Sequence, residues 1–108
     1  MRIHLQLAAA ALAAALSARA AAADDAGKAA YDRLCVSCHG ADGKGNPAMA
    51  EAFGGANLDI ANQQVAGKRD EELMKIIADG RGKMPAAGKS LSPADQQAVI
   101  AYIRSLVQ

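Results

Sequence analysis

Cys35, Cys38 and His39 stand in the run Cys35-Val36-Ser37-Cys38-His39. Two thiols two residues apart, with an imidazole directly after the second, are the attachment signature for c-type haem. On a helical turn, positions i and i+3 share one face. Both sulfurs can therefore form thioethers to the two vinyl groups of one porphyrin, and His39 can set a ring nitrogen under the iron. Other uses of the pair are weaker. A thioredoxin-like dithiol needs a βαβ pattern, and the chain shows none. A structural zinc site normally takes four Cys or His ligands. Beyond the N-terminal segment, Cys35, Cys38 and His39 are the only Cys and His residues. A structural disulfide would staple a small exported domain but gives His39 no task.

Haem iron with a single protein ligand has an open position that invites oxygen or peroxide chemistry, whereas a second strong ligand favours electron transfer. Three methionines could close it. Met74 falls within a helical pattern and reads as core filler. Met49 comes only ten residues after His39, in chain that must first leave the proximal side. Met84 follows Gly80-Arg81-Gly82-Lys83 and precedes Pro85, which fixes the local backbone. A thioether is a suitable soft ligand, and His/Met ligation raises the reduction potential. His39 and Met84 are therefore the expected axial pair.

Three helices must hold these residues. Gly27, Ala30, Tyr31 and Leu34 lie at i, i+3, i+4 and i+7, on a face that runs into the Cys35–His39 turn. Gly27 costs that helix about 1 kcal/mol against alanine, so close packing is expected there. A second helix begins near Asp70, with Glu71 and Glu72 suited to its positive end, and stops at Gly80. The last opens on Ser92-Pro93-Ala94-Asp95, a capping box with proline at the first position, and presents Val99, Tyr102, Ile103 and Leu106. No segment reads as a strand, so the fold class is all-α. About thirty residues between His39 and Asp70 show weak periodicity and read as a long loop wrapping a haem. Gly40–Gly45 lacks the spacing of a phosphate loop and reads as a tight turn.

Residues 1–23 read as a cleaved secretory signal peptide: Arg2 supplies the positive start, an Ala/Leu run extends from Leu5 to Leu16, and small residues follow. The run is short for a membrane span of about 20 residues, and His4 would leave with it. The remaining domain, 24–108, is expected in the periplasm. Without Arg2 and Arg19 it carries ten basic and eleven acidic side chains, with no basic block of the kind that binds nucleic acid. With one Phe, two Tyr and no Trp, its core is poor in bulk for so small a domain, and a covalently held haem would supply the missing centre.

Together these residues resemble the class I c-type cytochromes over essentially the whole of 24–108. The family has Gly and an aromatic four residues on before its haem motif, as Gly27 and Tyr31 precede Cys35. It crosses this helix with the C-terminal one, where Val99 and Tyr102 stand, and often carries its distal ligand as Met-Pro, as in Met84-Pro85. Asn57-Leu58-Asp59 is similar to small bacterial periplasmic members. The resemblance implies three main helices around one covalently bound haem c. It also implies a proline carbonyl accepting the proximal His N–H, for which Pro47 is the available residue. The implied function is one-electron carriage between periplasmic or membrane-bound redox enzymes by a monomer, with no catalysis and no small-molecule substrate. Two rival readings remain, an open-site haem protein handling peroxide or small gases and a dedicated haem subunit of an oxidoreductase. The first lacks a second histidine to act as distal acid–base group.

Overall fold

A computed structural model describes residues 2–107, with side chains from residue 10 onward. The positive start and His4 therefore lie outside the described side chains. The elements are α1 (Arg2–Leu34), α2 (Val36–His39), α3 (Pro47–Phe53), α4 (Gly55–Leu58), α5 (Gln63–Ala66), α6 (Asp70–Asp79), a 3₁₀ turn (Ala87–Ser90) and α7 (Pro93–Leu106). Among the described residues there is no strand, only an isolated bridge between Arg81 and Met84. The fold is all-α, as expected.

The core forms where α1 crosses α7. Ala30 and Tyr31 from α1 meet Val99, Ile100 and Ile103 from α7, and Leu73, Ile77 and Leu91 complete the cluster. The crossing is close because Gly27 has no side chain. A Cβ built there would strike the Ala98 carbonyl oxygen and come within 3.3 Å of Tyr102 Cβ. Four residues further on, the Tyr31 and Tyr102 rings pack tilted, with centroids 5.1 Å apart. Tilted aromatic pairs at this distance are worth about 1 kcal/mol beyond area burial. The apolar stripes read from the sequence thus meet each other.

Helix α1 is longer than the packing requires. Every residue from Ala10 to Asp25 is exposed, and burial begins only at Ala26 and Gly27. No helix among the described residues is long and apolar enough to cross a membrane.

The span expected as one long loop contains α3, α4 and α5. Local capping builds two of them: Asn46 Oδ1 accepts from the Ala48 amide, and Asn62 Oδ1 accepts from the Val65 amide. Asparagine caps satisfy N-terminal donors that a helix leaves unpaired. Runs of four to seven residues are too short to show a 3.6-residue period, so pattern reading passes over them. At the other end, the Ser92 half of the expected box forms, with Ser92 Oγ accepting from the Asp95 amide at 3.1 Å.

Arg104 near the end of α7 ties this capped segment to the bundle. Its guanidinium donates to the carbonyls of Ala66 (3.0 Å) and Lys68 (2.6 Å) and to Asp70 Oδ1 (2.7 Å). The carboxylate contact is largely exposed and contributes less than about 1 kcal/mol. The two carbonyls gain donors they would otherwise lack, each worth about 1 kcal/mol. Arg104→Met should therefore cost about 2 kcal/mol in urea unfolding and Asp70→Asn under about 1. Equal losses would show that the ion pair carries the effect.

Candidate haem-binding site

The end of α1 delivers the cysteine–histidine run directly. Cys35 N donates to Tyr31 O and His39 N to Cys35 O, so the helical path continues through α2 with one irregular residue at Cys35. Both cysteines are free and half-buried. Burial, reinforced by the neighbouring Cys38, pushes the Cys35 thiol up to about 11. A redox dithiol works through a thiol lowered towards neutrality, so this environment does not suit that chemistry.

His39 Nδ1 donates to the carbonyl of Leu58 at 2.8 Å. That bond sets the neutral tautomer and leaves Nε2 as the free donor atom, the arrangement metal-ligating histidines commonly have. Here the structure corrects the expectation for Pro47. Pro47 is exposed and opens α3, where a first-turn carbonyl is directed along its own helix. Leu58 is the last residue of the short α4 and is buried. Its carbonyl falls among those a helix end leaves unpaired, so it is available to the imidazole. The Asn57-Leu58-Asp59 resemblance touched this residue, but no side-chain signal marks a backbone carbonyl as an acceptor.

Tyr31 supports the other side of the motif. Fully buried, it donates its hydroxyl to the carbonyl of Gly40, the residue after His39, at 2.6 Å. Burial, with a smaller push from Cys35, holds the phenol well above its ordinary range. The fold therefore favours the neutral ring. Its stabilisation is complete below the unfolded value of about 10 and is lost as pH rises above that. Tyr31→Phe should cost about 1 kcal/mol at pH 7 and should flatten the alkaline decline. Thermal midpoints between pH 8 and 11 check this, and an equally steep decline in both proteins would count against it.

The distal candidates are placed differently from one another. Gly80 ends α6 with φ of 76°, and a Cβ there would meet Met84 O at 2.5 Å, so only glycine allows the chain to fold back so tightly. Arg81 and Met84 then exchange both backbone hydrogen bonds, at 2.9 and 3.0 Å. Met84 is thereby fixed on a small hairpin, half-buried against the core cluster. Met74 packs on that cluster from α6, while Met49 belongs to α3, which buries no residue. The hairpin also carries a contact the sequence did not reveal. Lys83 Nζ donates to Ala52 O at 3.1 Å and lies 5.7 Å from the centroid of the Phe53 ring.

A family model described as cytochrome C oxidase, cbb3-type, subunit III matches residues 22–103. The chain belongs to this family of c-type cytochrome domains. It is 34% identical over 87 residues to the cbb3-type cytochrome c oxidase subunit CcoP of Azospirillum brasilense, covering 80% of this chain and 29% of that protein. It is 41% identical over 76 residues to cytochrome c-551 of Bacillus subtilis, covering 69% of this chain and 55% of that one. Against the subunit FixP of Bradyrhizobium diazoefficiens it is 36% identical over 81 residues, covering 74% of this chain and 26% of that protein. The chain thus spans between about a quarter and a little over half the length of these relatives. No solved structure matches it significantly.

A c-type cytochrome domain carries electrons on the iron of a covalently attached haem c. The donor set of this cytochrome domain fits that group. It offers two free thiols on one turn, an imidazole with one nitrogen uncommitted, and a thioether on a hairpin closed by two backbone hydrogen bonds.

Proposed function

We propose that this cytochrome domain is an exported one-electron carrier. Cys35 and Cys38 would hold the porphyrin by thioether links, and His39 Nε2 and Met84 Sδ would ligate the iron. The observation that carries this reading is the His39–Leu58 hydrogen bond. It orients an imidazole beside two free cysteines and frees the ring nitrogen that a metal needs. When bound, the haem supplies a one-electron couple. The chain's own part is to hold the ligands and limit water around them, which disfavours the charged ferric form and raises the potential.

Residues 1–23 are read as a removable leader that leaves 24–108 in the periplasm. The exposure of Ala10 to Asp25 supports this, because among the described residues cleavage there would remove none packed in the core. The partners would be membrane-bound or periplasmic redox enzymes, met by a monomer through a small transient surface below about 1,200 Å². The reading is tested by the ferric near-infrared spectrum of the matured protein. A weak sulfur-to-iron charge-transfer band is expected. High-spin iron without the band, binding cyanide quickly, would favour an open site instead.

A second reading draws on the printed names of the CcoP and FixP relatives, which are oxidase subunits. On that reading the domain docks permanently on one oxidoreductase. Sedimentation of the mature protein with solubilised membranes separates the two, since a shuttle stays free at physiological salt and a subunit co-migrates.

A further inference from the structure

The hairpin that carries Met84 is held from outside by its neighbour Lys83. Helix α3 buries none of its own side chains, so packing does little to hold it. Its last carbonyls are unpaired within the helix and bear the negative end of its dipole, and no basic residue of α3 itself lies in the last turn. Lys83, thirty-one positions away, fills that role: its ammonium donates to Ala52 O at 3.1 Å and sits over the face of Phe53 at 5.7 Å. Among the described residues, this is the one side-chain hydrogen bond joining α3 or α4 to the 80–88 loop.

The hairpin transmits that anchor. Arg81 and Met84 are bonded to each other through both backbone groups, with Lys83 inside the closed turn. The turn cannot swing away from α3 without taking Met84 with it. The geometry points to Lys83 as a positioning residue: with Phe53 it forms a latch that keeps the Met84 thioether on the distal side and slows entry of foreign ligands. This inference rests on the axial role proposed for Met84, but the latch itself is a property of the chain and can be read without the iron. An exposed cation–π contact and one charge-assisted hydrogen bond together correspond to roughly a five- to ten-fold change in an opening equilibrium.

The experiment compares wild type, Lys83→Ala, Lys83→Arg and Phe53→Leu as haem-loaded proteins. Hydrogen exchange is read at the Gly54 amide, bonded to Ala50 O, and the Met84 amide, bonded to Arg81 O. Lys83→Ala should speed exchange at both amides roughly five- to ten-fold and Phe53→Leu, which removes only the cation–π contact, roughly two- to five-fold, with imidazole binding to ferric iron tightened by similar factors. Lys83→Arg, which keeps the charge and the donors, should stay near wild type. Amides at the α1–α7 crossing should not change. Wild-type exchange rates in Lys83→Ala would overturn the latch, as would acceleration spread evenly over the core. Absence of the sulfur-to-iron band in wild type would instead overturn Met84 ligation, while the amide rates would still decide the latch.

Discussion

Met84→Ala is expected to lower the reduction potential by tenths of a volt and to open the iron to external ligands. A thioether is a soft donor that favours ferrous over ferric iron, and axial ligands move haem potentials over a range of about 0.8 V. The rival donors sit on helices rather than on the turn. Met74 is half-buried against the core cluster, as Met84 is, but within the regular helix α6, and Met49 rides on a helix that buries nothing. Met49→Ala and Met74→Ala should therefore leave the potential close to wild type. Spectroelectrochemical titration of the three variants makes the comparison. An unchanged potential in Met84→Ala, with a large shift in either of the others, would reassign the ligand.

Gly27→Val should be the most damaging single change in the scaffold. Valine would place its Cβ against the backbone oxygen of Ala98 and two methyl groups around it, and a backbone carbonyl inside a helix cannot rotate aside. Overpacking of well-filled sites costs about 1–3 kcal/mol when side chains can yield. Here the obstacle is main chain, so the upper end of that range, about 3 kcal/mol, is expected. For a domain of this size that corresponds to a fall in thermal midpoint of roughly 12 °C or more. Gly27→Ala gains about 1 kcal/mol of helix propensity yet meets the same carbonyl, so it too should lose stability. A neutral Gly27→Ala would mean that α1 and α7 separate at little cost.

The damage would reach the proposed haem ligands through α1. Its last turn supplies Tyr31 to the crossing and then runs straight into Cys35. A wider crossing removes the support of the Tyr31 hydroxyl from Gly40. Gly27→Val should accordingly loosen the proximal side as well as lower stability, whereas Met84→Ala should alter the iron and leave the α1–α7 core intact.

The elements that were legible in advance are those whose information is local. Cys35, Cys38 and His39 are three side chains on one turn. The stripes ending in Leu34 and Leu106 repeat at 3.6 residues, and the Ser92 cap on the Asp95 amide joins residues three apart. Gly27 advertised a close approach because glycine is costly within a helix. Met84 could be singled out by the Gly80 and Pro85 that constrain it, though the closed Arg81–Met84 turn is visible only in the structure.

Backbone acceptors and distant partners were not legible. The carbonyl of Leu58 carries no side-chain label, and it faces His39 only because α4 stops there; Pro47 was an attractive substitute with the wrong role. The grips of Arg104 on Ala66 and Lys68 and of Lys83 on Ala52 each join residues more than thirty positions apart. By itself the sequence determined the chemistry, two thiols and an imidazole beside a choice of thioethers, and the helices that carry them. Tertiary structure alone decided which carbonyl orients the imidazole and what holds the distal hairpin. The physical reason is that side-chain type and helical period are properties of neighbours in sequence. A hydrogen bond to main chain depends only on where the chain happens to pass.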